Sequence, residues 1–293
     1  MEAEKENFRI TMMARLLHVS RSGYYSWKRR GGATDPYAAL KVKIKAIWES
    51  SHRRYGARTI HAELSKEATL YRVRKCMKEL GISGMTPKVR RQTTIPDKTA
   101  KNRPDLIRRR FAWPVATTAS VGDITYLKTG EGWLYLATVI DLSTRMVIGW
   151  AFSRSLATPL VIKALEMAKS RGYLADGAIF HSDRGCQYTS RMLAEWAKAH
   201  DVRLSVGRTG SCHDNAVAES FFATLKNEMY FQRSFATRDE AKTAVIDYIE
   251  RYYNRFRLHS SIGYQAPAYA MEAFMARCDK AFSEDIEEAK IAA

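Results

Sequence analysis

From Ala119 onward the hydrophobic period of the chain changes to that of strands, and the stretch that follows admits few folds. Ala119 to Lys128, Trp133 to Asp141 and Arg145 to Phe152 read as three β segments in meander order, separated by Gly130-Glu131-Gly132 and by a short turn. Helical and strand patterns then alternate: a helix over Thr158 to Ser170, a strand over Gly177 to Ser182, a helix over Ser190 to His200, a strand over Val202 to Val206 and a helix over Asp214 to Tyr230. Hairpin-linked strands followed by helix-strand-helix-strand-helix predict an α/β fold, a mixed sheet covered by helices. With 293 residues and 46% hydrophobic content, the chain has room for such a core and for smaller modules.

Charge divides the chain in two. Residues 1–118 carry 27 Lys and Arg against 10 Asp and Glu, a surplus of +17, whereas residues 119–293 carry 21 of each. A basic excess confined to one half points to a polyanion, most simply nucleic acid or an acidic membrane surface. The acidic start, Glu2-Ala3-Glu4-Lys5-Glu6, is neither a secretory n-region nor a basic transit peptide. No apolar run approaches the roughly 18 residues of a membrane span. Cys76, Cys186, Cys212 and Cys278 lie far apart, without a paired motif, as reduced thiols do. These features predict a cytoplasmic, nucleoid-associated protein with no membrane partner.

The basic half reads as two helical modules. Ile10, Met13, Leu16 and Leu17 have helical spacing, Ser20 is placed to cap a second helix, and Gly31-Gly32 breaks the chain. Beyond the break, Leu40 to Trp48, Tyr55 to Leu64 and Tyr71 to Leu80 form three helices, the last ending at Gly81. That last helix sets Arg72, Arg74, Lys75 and Lys78 beside an apolar stripe of Val73, Met77 and Leu80, the layout of a helix seated on phosphates. Solvated faces of a small bundle are the ordinary alternative. After Gly84, three prolines and the clusters Lys88-Val89-Arg90-Arg91 and Arg108-Arg109-Arg110 read as an extended basic linker.

Three acids in the neutral half sit where packing alone would not put them. Asp123 interrupts the strand Val121-Gly122-Asp123-Ile124-Thr125-Tyr126, Asp183 follows the apolar strand Ala178-Ile179-Phe180-His181, and Glu219 lies in the largely apolar start of a helix. Lys226 shares the face of Glu219 two turns on. Carboxylates from two strands and a helix converging at one sheet edge suit hard divalent cations, and phosphodiester chemistry uses such a site. Singly, each has an ordinary reading: a ladder-edge hydrogen-bonder, a turn former, a helix-start dipole partner. Asp141 is the rival acid, although Asp141-Leu142-Ser143-Thr144-Arg145 reads as a turn. His181 and Asn215 fit packing and capping as well as ligand contact, and Tyr252, Tyr253, Arg255, Arg257 and His259 fit base stacking as well as core packing.

With 35 residues between Asp183 and Glu219, the blocks around Asp123, His181-Ser182-Asp183-Arg184-Gly185 and Asp214-Asn215-Ala216-Val217-Ala218-Glu219 resemble the catalytic blocks of bacterial insertion-sequence transposases with a retroviral-integrase-like core. More narrowly, the chain resembles the second-reading-frame (OrfB) product of two-frame insertion sequences. The likeness runs from Val19-Ser20-Arg21-Ser22-Gly23-Tyr24-Tyr25 through Tyr55-Gly56-Ala57-Arg58-Thr59-Ile60-His61 to Tyr253-Asn254-Arg255 and His259-Ser260-Ser261-Ile262-Gly263-Tyr264. The chain departs from the family pattern ahead of the first strand, at Gly210-Ser211-Cys212-His213 and at Gln265-Ala266-Pro267.

The resemblance implies a ribonuclease H-like fold and an Asp-Asp-Glu triad of Asp123, Asp183 and Glu219. It also implies Mg²⁺ (or Mn²⁺) as cofactor, and cutting and joining of DNA at terminal inverted repeats and target sites. The expected organisation is a helix-turn-helix-like segment (1–32), a helical DNA-binding module (33–84), a basic linker (85–112), the catalytic domain (113–275) and an acidic tail (276–293). Expected DNA contacts are Arg58, Arg72, Arg74, Lys75, Lys78, Arg90, Arg91, Arg108, Arg109, Arg110 and Lys226. A homo-oligomer on DNA and fusion to an upstream-frame (OrfA) product are expected partners. Two rivals remain: a ribonuclease H-like nuclease that only hydrolyses, and a non-catalytic DNA-binding protein.

Overall fold

A computed structural model describes residues 1–29, 35–65, 67–85, 103–207 and 215–291, with side chains as far as residue 280. Helices α1 (Ile10–Leu16) and α2 (Arg21–Arg29) form the first helical pair. The Ser20 hydroxyl accepts the Gly23 N–H at 3.0 Å, the capping bond that stops the chain between them from fraying. Helices α3 (Ala38–Ser50), α4 (Ala57–Glu63) and α5 (Leu70–Glu79) enclose a small core of their own around Ile44, Ile60, Leu64, Val73, Cys76 and Met77. Thr69 caps α5 by accepting the Arg72 N–H.

The neutral half builds a sheet of five strands among the described residues, in the order β3-β2-β1-β4-β5. Strands β1 (Ala119–Thr129), β2 (Gly132–Asp141) and β3 (Val147–Ser153) run antiparallel as a meander. Strands β4 (Ile179–Ser182) and β5 (Arg203–Val206) continue parallel to β1. This is the mixed sheet the pattern predicts. Arg145, expected to open the third strand, lies instead in the turn before it with φ at 64°, because Asp141 organises that turn.

Alternation along the strands supplies both faces. Val121, Leu134, Leu136, Ile140 and Ile179 pack under α9 (Ala216–Glu228) and α10 (Arg238–Asp247), whereas Ala137, Val139, Ile148 and Phe180 pack under α6 (Thr158–Ser170) and α8 (Arg191–Ala199). A short helix, α7 (Cys186–Thr189), follows β4. Gly149 lets α6 lie close on the sheet: a Cβ there would stand 2.1 Å from the Ala164 carbonyl oxygen.

Two boundaries differ from expectation. Within the expected linker 85–112, residues 103–111 are docked on the sheet: Ile107 is fully buried in its core, Leu106 N–H donates to Ser205 Oγ, and Arg103 donates to the carbonyls of Tyr188 and Ser190. The apolar Leu106-Ile107 pair holds it there against its basic neighbours. The segment 276–293, expected as a tail, is helical to Ile291 within α11 (Pro267–Ile291), whose Met271 is anchored in the core. No helix among the described residues is long and apolar enough to cross a membrane.

Candidate active site

Strand register decides where the first two acids meet. Asp123 stands two residues beyond Val121, on the face covered by α9, and Val121 is paired with His181 of the parallel strand β4. Asp183 stands two residues beyond His181, so both carboxyls emerge on one face at neighbouring strands. Asp123 is half-buried, and its Oδ1 accepts the Ile124 N–H at 2.7 Å. Asp183 is also half-buried and closes a turn by accepting the Gly185 N–H at 2.9 Å. Burial, followed by the charges of Asp183 and Glu219, pushes the Asp123 carboxyl up to about 8, with the Ile124 N–H and Lys226 opposing. Burial also raises Asp183, against its bond from Gly185.

The third acid comes from α9, whose Ala218, Phe221, Phe222 and Leu225 are buried against the sheet. That packing leaves Glu219 exposed on the helix flank and Lys226 half-buried two turns on. Both charges reach Asp123. The acids are oxygen donors of the kind a hard divalent cation takes, and a cation would relieve the crowding that raises Asp123. Among the described residues no group of three or more His, Cys, Asp or Glu is gathered into a ready-made metal cluster. The donor set therefore fits a cation as a pair of recessed carboxyls with a third acid on the adjoining helix.

Two neighbours give little or no sequence signal. Tyr188 of α7 is buried, its hydroxyl has no partner among the described residues, and burial with the charges of Asp123 and Asp183 holds it well above the usual phenol range. A lone tyrosine in a short helix gives no clue to this. Asn215, weighed above as a capping residue, makes no capping bond: its amide donates to the Gly122 carbonyl at 3.0 Å and ties the start of α9 to β1 beside Asp123. Gly122 is required here because a Cβ would meet the Phe180 ring at 2.3 Å.

The remaining candidates separate clearly. Asp141 is fully buried and accepts from the Thr117, Ser143 and Thr144 N–H groups and the Thr144 hydroxyl, so it builds a turn. His181 is buried with Nδ1 2.8 Å from Ser205 Oγ, a contact between strands. Tyr253 is buried in the core, and Arg257 is paired with Glu228 at 3.0 Å. Arg58, Arg72, Arg74, Lys75 and Lys78 are exposed, with Lys75 also 4.0 Å from Glu79 and 5.0 Å from the Tyr37 ring centroid. Arg108, Arg109 and Arg110 are exposed on the docked segment. Arg90, Arg91 and the departure at 210–213 lie outside the described residues.

Two integrase core domain models match residues 117–212 and 200–267, and a model described as an HTH-like domain matches residues 36–91. The chain is 36% identical over 273 residues to the transposase InsF for insertion sequence IS3A of Escherichia coli (strain K12), covering 91% of this chain and 95% of that protein. It is 34% identical over 267 residues to an insertion element IS600 uncharacterized 31 kDa protein of Shigella sonnei, covering 89% and 98%. Among solved structures, the HTLV-2 integrase catalytic core domain in complex with magnesium (trimeric form) aligns with TM-score 0.41 at 15% identity, over 52% of this chain and 95% of that one. The BIV integrase catalytic core aligns with TM-score 0.42 at 15% identity, over 57% and 99%. With its recessed carboxyl pair on an integrase core and its helical module ahead of it, the chain belongs to the insertion-sequence transposase family.

Proposed function

We propose that this protein binds the ends of an insertion sequence, hydrolyses one DNA strand there and joins the exposed 3′ hydroxyl to a second phosphodiester by transesterification, with no covalent protein intermediate. Asp123, Asp183 and Glu219 are the catalytic carboxylates. The observation that carries this reading is the parallel pairing of β1 with β4, which brings Asp123 and Asp183 out on neighbouring strands beside α9, where burial and the charges of Asp183 and Glu219 raise the Asp123 carboxyl. Mg²⁺ or Mn²⁺ bound by these acids would supply charge neutralisation for attack on a phosphodiester. The Ile124 and Gly185 N–H groups fix one oxygen of each aspartate and leave the other to the ligand. Lys226 meets incoming phosphate from the same helix. Arg58, Arg72, Arg74, Lys75 and Lys78, with Arg90, Arg91 and Arg108 to Arg110, hold DNA. Two copies or more act together on DNA, and an upstream-frame product is the fusion partner.

A labelled element end tests this. Mg²⁺ should support nicking and strand-transfer products, EDTA should abolish both, and Ca²⁺ should permit binding with little turnover. Asp183→Asn should retain end binding and lose about a thousandfold or more in both steps, since removing one ligand charge forfeits several kcal/mol of transition-state stabilisation. Nicks without joined products would favour a nuclease, and wild-type cleavage by Asp183→Asn would defeat the carboxylate assignment.

A further inference from the structure

The face of α9 next to its acidic flank opens into a cavity of about 170 Å³ that the proposed chemistry does not use. Arg145, Ser220, Thr224, Arg257, His259 and Ser261 line it, with Val217 and Phe221 as apolar wall. Ser220 is one residue beyond Glu219, about 100° around the helix. Arg145 is more than nine-tenths buried, in a turn whose φ of 64° holds it there. Its Nε donates to Ser261 Oγ at 3.0 Å and its Nη2 to the Phe111 carbonyl at 2.9 Å, while Nη1 has no partner among the described residues. A buried guanidinium nitrogen without an acceptor is costly to leave so.

The carboxylates nearby are engaged elsewhere. Glu228 is held by both Nε and Nη2 of Arg257 and by the Tyr248 hydroxyl. Asp141 spends its oxygens on Thr117, Ser143 and Thr144. Burial and the two arginines press His259 down to about 4, so it stands uncharged and adds no competing cation. What the cavity presents is an arginine whose Nη1 lacks an acceptor among the described residues, the hydroxyls of Ser220, Thr224 and Ser261 with the Tyr253 ring beside them, and the first turns of a 13-residue helix. We infer that this cavity binds a phosphate group, seated between α9 and the His259–Ser261 turn and accepting from Arg145. Phe111, whose carbonyl accepts from Arg145, directly follows the exposed Arg108 to Arg110, so the segment that carries those arginines is tied to the cavity's own arginine, which favours DNA as the source of the phosphate. The DNA source of the phosphate rests on the proposed function; the cavity's preference for a phosphate does not.

Thr224→Glu is the informative variant in the full chain, because a glutamate at this half-buried position fills the cavity with a tethered carboxylate and is a better helix former than threonine. Thr243→Glu adds the same charge at an exposed position of α10 as control. In the wild type and in Thr243→Glu, inorganic phosphate should raise the melting midpoint beyond an equal ionic strength of chloride. In Thr224→Glu the midpoint should already be raised and phosphate should add nothing. The slope of log affinity for duplex DNA against log salt should fall by about one in Thr224→Glu relative to Thr243→Glu, as one phosphate contact is removed. Loss of the phosphate effect with an unchanged slope would support a site for free phosphate and overturn the DNA source. A full phosphate effect in Thr224→Glu would overturn the site itself. The phosphate arm reads the cavity whether or not the chain cuts DNA.

Discussion

The integrase core and the helical module ahead of it use charge in opposite ways. In the core several charges are recessed: Asp123 and Asp183 are half-buried, and Glu228 keeps only 11% of its side chain exposed against Arg257, although Glu219 stands exposed on α9. In α3 to α5 most cations stand on the surface with solvated ion pairs, such as Lys75 with Glu79 at 4.0 Å, while Lys41, alone among the described pairs there, is largely covered, between Asp35 and Glu79. A recessed charge is worth much to the fold or the chemistry and tolerates little change, whereas an exposed one contributes almost nothing to stability and is free to serve a ligand. On the proposed function, the two aspartates sit where strand register fixes their position, and DNA recognition sits where the surface is free to vary.

The largest expected effect tests the buried side of that contrast. Glu228→Ala strips Arg257 and Tyr248 of a shared acceptor and leaves a guanidinium uncompensated, which should cost about 3–5 kcal/mol in chemical denaturation. Arg74→Ala should change the same measurement by no more than about 0.5 kcal/mol. Similar costs for the two would erase the distinction.

The pH dependence of stability sharpens it further. The carboxyl of Asp123 is raised in the folded state from 3.8 to about 8, so folding favours its protonated form. Its contribution to stability is fully present below pH about 4 and is lost as pH rises towards 8. Without metal, the melting midpoint should therefore fall across this range, and Asp123→Asn should flatten the fall. Mg²⁺ should flatten it too, by stabilising the charged form. A wild-type profile that does not fall on the alkaline side would remove Asp123 from the list of strained groups.

These outcomes bear on what the amino-acid order made legible. The strands carry their own period, so β1, β2 and β4 were readable nearly to the residue, and the acids stood out because Asp123 breaks an apolar run and Asp183 ends one. The docking of 103–111 was not readable: Leu106 and Ile107 are two apolar residues among arginines, and only the groove beside Ser205 explains them. The burial of Arg145 was equally hidden, since an arginine after a turn ordinarily faces water, and its partners Phe111 and Ser261 lie 34 and 116 residues away. The turn read at Asp141 to Arg145 is built on the Ser143 and Thr144 N–H groups as the pattern suggests, whereas the Thr117 N–H that also binds Asp141 comes from 24 residues away and was not legible.

A smaller effect is expected on the surface side. Arg72→Ala and Arg74→Ala should leave melting unchanged and weaken DNA binding about equally across sequences, each lowering the salt slope by about one if it meets a phosphate. An unchanged slope would mark these residues as solvated helix faces.

The most local effect lies at the seam between the two regions. Arg54 stacks on Tyr252 at 4.0 Å and donates to the Glu228 carbonyl, and the Tyr55 hydroxyl donates to the Phe256 carbonyl and accepts the Leu258 N–H at 3.1 Å. A cation over an aromatic ring contributes about 0.5–2 kcal/mol, so Arg54→Leu should loosen the seam without unfolding either side. Hydrogen exchange reads this directly. In Arg54→Leu and in Tyr55→Phe the Leu258 amide should lose protection, because its acceptor is displaced in one and absent in the other. The amides of α5 should keep theirs, since Val73, Cys76 and Met77 pack against Ile44 and Ile60 within the module. If α5 amides lose protection together with Leu258, the module draws its stability from the core. The exposed cations of α5 would then depend for their placement on the same buried contacts that hold α9, and the contrast between the two regions would collapse into one cooperative unit.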